Sequence, residues 1–162
     1  MNTPLRVPAV LPAALLASVC LVSHADDKPI GPHANLHIVS ATSGVAAASW
    51  VNVYSTEACE EKTGEGRVAN FHMLARKEKT VPVPIGRRLY VLAGAEITPP
   101  VGAEVRKTKC LSMASFVPED GKTYEVKHDL VTRNCPIGIT LGGAAVPSFE
   151  KNKPKNLCKE KF

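Results

Sequence analysis

Apolar residues in this chain recur at every second position, in short runs cut by turn residues. Long helical periodicity of three and four is missing beyond the first thirty residues. Leu36 and Ile38 alternate with polar neighbours, and Val51 and Val53 share one face of Trp50–Tyr54. Ala69, Phe71 and Met73 alternate with Asn70 and His72, and Tyr124, Val126 and Leu130 with Glu125, Lys127 and Asp129. Residues 89–93 are apolar on both faces, the pattern of a central strand. Successive side chains of a strand point to opposite faces, so such runs bury one face each and need a second layer. Gly64-Glu65-Gly66, Thr98-Pro99-Pro100-Val101-Gly102, Pro118-Glu119-Asp120-Gly121 and Gly142-Gly143 carry turn chemistry between the runs. The Pro118–Gly121 turn joins a strand ending near Val117 to one starting at Thr123. Pro82 and Pro84 lack an amide hydrogen, which sends residues 81–85 to a sheet edge. No helix is expected outside the leader, and the alanine-rich 43–49 stretch is the strand with the weakest pattern. The expected fold is all-β, a two-sheet sandwich of about seven strands of the immunoglobulin or transthyretin sort.

The N-terminus reads as an export signal. Arg6 is the one charge before Asp26, residues 7–22 are apolar apart from a serine, and Ser23-His24-Ala25 puts small residues at −3 and −1. Cleavage is expected after Ala25. The run is too short for a comfortable membrane anchor and is broken by Pro8 and Pro12. Removing residues 1–25 from 162 leaves 137, enough for one domain, divided into a sandwich over 26–147 and a basic tail over 148–162. No later apolar segment is long enough for a transmembrane helix. With Arg6 gone, 19 basic residues face 15 acidic ones, a net +4 that favours anionic surfaces without naming one.

Four cysteines then remain: Cys59, Cys110, Cys135 and Cys158. Their wide spacing excludes CxxC and zinc-type clusters, and an even number in an exported chain reads as two disulfides, with three pairings open. In a simple meander Cys110 and Cys135 lie two strands apart, roughly 9–10 Å, beyond the ~7 Å limit for a bridge. Both share the parity of core residues, Cys110 with Phe116 and Cys135 with Ile137 and Ile139. On opposite sheets they meet. This leans to Cys110–Cys135, with Cys59–Cys158 pinning the tail.

The segment from Cys110 through Phe116-Val-Pro118-Glu119-Asp-Gly121-Lys-Thr-Tyr124-Glu125-Val126 to Cys135 resembles a motif of small exported proteins and lipoproteins of proteobacteria. There a cysteine precedes Phe-x-Pro-Glu-x-Gly-x-x-Tyr-Glu-Val, and a second cysteine opens a strand. Val83-Pro84-Ile85-Gly86 is similar to an Ile-Pro-x-Gly stretch of the same proteins, so the resemblance covers about residues 83–141. It implies a β-sandwich in the bacterial envelope, periplasmic or secreted, and carries no activity. Val19 before Cys20 departs from the lipid-attachment box of the lipoprotein members.

Candidate sites are few. His33 and His37 would converge on a metal on a helix, but on a strand they stand about 13 Å apart. No metal or other cofactor is expected. His128 sits on the apolar parity of its strand, as a histidine hydrogen-bonded or half exposed at a sandwich rim. Ser112 or Ser115 can be paired on paper with His128 and Asp129, without a nucleophile elbow around either, and no enzyme activity is expected. Tyr124, Phe116 and Trp50 read as core. Arg87, Arg88, Arg106, Lys107, Lys109, Lys151, Lys153 and Lys155 are the candidate anion-contact patch, weighed against a plain solvated surface. Nucleic acid is not an expected target, because no recognition module is present. Three classes of function stay open. One is a non-catalytic envelope or secreted module binding protein, glycan or anionic lipid. Another is a small inhibitor or immunity-type protein inserting a loop such as 55–67. The last is an enzyme of unrecognised type.

Overall fold

The computed structural model describes residues 31–41, 46–60, 64–72, 77–98, 108–129 and 135–160. The leader, the end of the 98–102 turn, Arg106 and Lys107 lie outside them. Eight strands of five to ten residues carry the fold: β1 (His33–Ala41), β2 (Ala46–Tyr54), β3 (Gly64–His72), β4 (Lys77–Pro84), β5 (Leu89–Thr98), β6 (Thr108–Phe116), β7 (Thr123–Asp129) and β8 (Ile137–Leu141). Two short strands follow, β9 (Ala144–Ala145) and β10 (Glu150–Asn152). One sheet has the order β4-β1-β7-β8-β9 and the other β10-β6-β5-β2-β3. β1 lies between β4, antiparallel, and β7, parallel. The immunoglobulin order places the first two strands in one sheet. Here β1 and β2 belong to different sheets, which leaves the transthyretin sort of the two expected arrangements.

The core lies where the inward faces meet. Leu36 and Ile38 of β1, Val51 and Val53 of β2, Val91 and Ala93 of β5, Ala114 and Phe116 of β6, and Tyr124 and Val126 of β7 are all buried in one cluster. Each large aliphatic or aromatic side chain placed there contributes about 1.5–3 kcal/mol relative to exposure. β5 is central and buried on both faces, with Leu92 facing away from this cluster. β4 is an edge strand, as its prolines require, with Pro82 and Pro84 opposite Asn35 and His33.

The Pro118–Gly121 turn crosses from one sheet to the other. Gly121 takes φ +67°, a conformation open to glycine. The Glu119 amide donates to the Tyr124 hydroxyl (3.0 Å), and the Gly121 amide donates to the His33 carbonyl (3.0 Å). The Gly142-Gly143 pair, at φ +58° and +83°, turns the β8–β9 hairpin.

Cys110 on β6 is bonded to Cys135 just ahead of β8, across the two sheets, with Cα atoms 5.9 Å apart. Cys59 is bonded to Cys158 at a Cα separation of 5.2 Å. Disulfides of this kind are the mark of an oxidising, exported location. Among the described residues no helix is long and apolar enough to cross a membrane.

Three expectations are corrected. Among the described residues the strand count is ten, two of them of two and three residues, rather than about seven. Gly64–Gly66 is not a free turn but the bulged start of β3, where Val53 faces Gly66, Tyr54 faces Gly64, and Glu65 is the extra residue. The tail is not irregular throughout and is not free of helix. Glu150–Asn152 pairs with β6 as β10, and Asn156–Glu160 forms a helical turn, α1. Two to five residues are too few to show a periodicity.

Candidate functional site

The second sheet has an outward face, and the tail packs on part of it. Tyr54, Leu92 and Met113 point outward and form a second apolar cluster with Cys59 and Cys158, against which Tyr90 and Leu111 pack. Asn52 donates to the Tyr54 hydroxyl within it (3.0 Å). The tail runs from β10 through Pro154 to α1, where Cys158 ties it down onto this cluster. Lys155 pairs with Glu57 at 2.6 Å beside the same bridge.

Two grooves lie between β6 and the tail. The first, about 290 Å³, is lined by Leu111, Ser112 and Met113 of β6, by Pro136 and Ile137, and by the stretch 151–154. The second, about 190 Å³, is lined by Trp50, Lys109, Cys110, Leu111 and Lys159. Its floor follows from the register. Trp50 on β2 faces Gly94 on β5, and Gly94 faces Leu111 on β6, so a position without a side chain separates two bulky ones. Arg67 lies over the Trp50 ring at 5.9 Å, a cation–π contact. Every charged side chain lining either groove is a lysine: Lys151 and Lys153 in the first, Lys109 and Lys159 in the second. Glu96, opposite Lys109 on β5, is the acidic residue that the register brings to the rim.

The expected anion patch therefore divides. Lys151 and Lys153 line the first groove, on the Ala114 and Ser112 side of β6, and Lys109 lines the second with Lys159. Lys155 is held by Glu57, and Arg87 is exposed at the bend before β5. Arg88 is a fastener. Its guanidinium donates to the Ser115 hydroxyl and the Ser148 carbonyl (3.1 Å each) and pairs with Glu150 at 3.1 Å. Arg88→Met keeps the stem and removes these donors. It is expected to cost about 1.5–3 kcal/mol, the range for hydrogen bonds involving a charged group. Amide exchange at Glu150–Asn152 should quicken while β7 and β8 stay protected.

The remaining candidates do not converge. His33 bonds the Gly31 carbonyl, whereas His37 bonds Thr80 (3.1 Å) and Glu78 (3.4 Å) across to β4. Ser112 donates to the Cys135 carbonyl, and Ser115, on the opposite face of β6, holds Arg88. His128 is on β7 in the other sheet, buried rather than half exposed, level with Ser40 on β1. The Asp129 side chain lies outside the described residues. Phe116 and Tyr124 are core, with ring centroids 4.8 Å apart. Trp50 is not: it is half-buried on the outward face. Parity was the available signal, since Trp50 alternates with Val51 and Val53 and so stands on the face opposite theirs. Among the described residues, no three His, Cys, Asp or Glu side chains cluster to hold a metal.

Compared with family models, with curated proteins and with solved structures, the chain has no match in any of the three.

Proposed function

We propose that this is an exported, non-catalytic binding module of a bacterial envelope, released from its leader after Ala25 into the periplasm or the medium. Its working surface lies along β6 of the second sheet, with Lys109 on the side of Leu111 and Lys151 and Lys153 at the edge on the side of Ala114 and Ser112, and its partner there is anionic. One observation carries the reading: two grooves share one strand, and lysine is the sole charged residue type in their walls. Like charges around a concave surface reinforce one another and draw an oppositely charged partner. The leader, the two disulfides and the motif from Cys110 to Cys135 support the compartment. The alternative of an inhibitor acting through residues 55–67 has no observation in its favour. Residues 55–60 lie beside the tail, tied by Cys59–Cys158 and Glu57–Lys155, and Gly64–Arg67 belong to β3.

The test is retention of the mature protein on immobilised dextran sulfate over a salt gradient. Wild type should be held at low salt and released as screening sets in. Lys109→Glu, Lys151→Glu, Lys153→Glu and Lys159→Glu combined should weaken binding by about tenfold or more, the lower end of what a one-signed cleft adds to association. All four side chains are exposed, so the fold should survive. Equal retention of wild type and variant would reject the face.

A further inference from the structure

The groove of about 190 Å³ has one aromatic wall and one aliphatic wall, Trp50 and Leu111. Trp50 is half-buried on the outward face of β2 and is the sole tryptophan of the chain. Gly94 on β5 stands between it and Leu111 on β6. The two walls therefore rise about 10 Å apart, two strand spacings of ~4.8 Å. β5 has β2 and β6 on its two sides, and β2 has β5 and β3. A ligand lying between Trp50 and Gly94 thus meets side chains rather than an unpaired strand.

Positive charge surrounds these walls. Arg67 on β3 is exposed and holds its guanidinium over the Trp50 ring at 5.9 Å. Lys109 of β6 and Lys159 of α1 are exposed at the rim. The register sets Lys109 opposite Glu96, whereas Arg67 stands opposite Asn52. The space is below the ~300–1,000 Å³ of sites that enclose a drug-sized molecule, so it takes one ring-sized unit of a larger ligand.

We infer that this groove binds one carboxylated or sulfated sugar residue of an anionic glycan. The sugar ring packs against Trp50 and Leu111, and its acid group is drawn to Arg67, Lys109 and Lys159. This rests on the anionic-partner reading above and names the ligand's class. A sugar ring presents a face of C–H groups, which suits the negative face of an indole, and carries its charge at the ring edge. It needs no main-chain ladder. An acidic peptide draws much of its affinity from such a ladder, which β2 and β5 cannot extend, and it is the competing outcome.

The probe is a tetrasaccharide of galacturonic acid, added to the mature protein. Trp50 emission reports on this groove alone and should change saturably, and added salt should weaken the binding. A neutral galactose tetrasaccharide and tetraglutamate should each bind at least about tenfold more weakly. By calorimetry Trp50→Leu should lose about tenfold in affinity, whereas Trp50→Phe, which keeps a ring, should lose about threefold at most. Arg67→Gln with Lys159→Gln changes two exposed side chains and should also cost about tenfold, with the core untouched. Tetraglutamate binding as tightly as the tetrasaccharide, or full affinity in a folded Trp50→Leu, overturns the sugar site. Lysine-dependent retention on dextran sulfate would then leave the anionic face standing, and binding to neither probe removes both.

Discussion

Replacing Cys59 and Cys158 by alanine should lower the stability of the mature domain by about 4–5 kcal/mol, the larger of the two disulfide effects. The bridge spans a sequence separation of 99. Closing a loop of about 100 residues removes enough entropy from the unfolded chain to be worth roughly 4.7 kcal/mol, against about 3.5 for a loop of about 25. The Cys110–Cys135 bridge, at a separation of 25, is the comparison. The native state adds to the difference, because Cys59–Cys158 fastens the tail over Tyr54, Leu92 and Met113. Freed, the tail keeps the Arg88 contacts, the Val117–Ser148 hydrogen bond, Phe149 against the core, Lys155–Glu57 and the short β10 pairing. Denaturant unfolding of both double variants measures the two costs, and binding of a hydrophobic dye reports the uncovered face. A greater loss from the Cys110–Cys135 variant, with no dye binding by the other, would show that the tail is not held by its bridge.

What the sequence reveals of this fold follows from the range of each signal. Alternation is local and dense, so the long strands were legible, as was the Pro118–Gly121 bend that links the sheets. The cross-sheet cystine was legible for a further reason: parity placed both sulfurs inward, and a bond was then possible only between layers. Strand pairing is not local, and β1 beside β7 in parallel leaves no trace in either strand. The candidate site was harder still. Lys109, Lys151 and Lys153 are visible as charges, yet only the register of β10 on β6 sets Lys151 and Lys153 beside the strand that carries Lys109, and β10 is three residues long. Arg88 carries the same charge and was placed in the same patch, but the sequence cannot say that Ser115, Ser148 and Glu150 would absorb it. Pro154 was legible as part of an irregular tail. Its place at the end of the β10 ladder appears only when the strand before it is paired.

Phe116→Ala should cost about 3–5 kcal/mol, the range for truncating a buried phenylalanine. The ring is fully buried at the end of β6, where Phe116 faces Leu89, and it tilts at 56° against Tyr124. Tyr124 belongs to the other sheet, so the pair is a weld between layers. Its hydroxyl also accepts the Glu119 amide, which fixes the crossing turn. Truncation therefore leaves a cavity, deprives Tyr124 of its packing partner and loosens the one described turn that joins β6 to β7. The denaturation midpoint should fall without a change in slope, because the surface exposed on unfolding is nearly the same. Phe116→Leu fills most of the space and should recover more than half of the loss. A cost below about 1 kcal/mol for the alanine variant would contradict this packing. Retention on dextran sulfate separates stability from binding: under conditions where Phe116→Ala is folded it should match wild type, because Leu111 and the four lysines lie on β6 and on the tail. An altered salt profile in the folded variant would mean that the face depends on the core beneath the turn, and that the two sheets do not act as a rigid support for it.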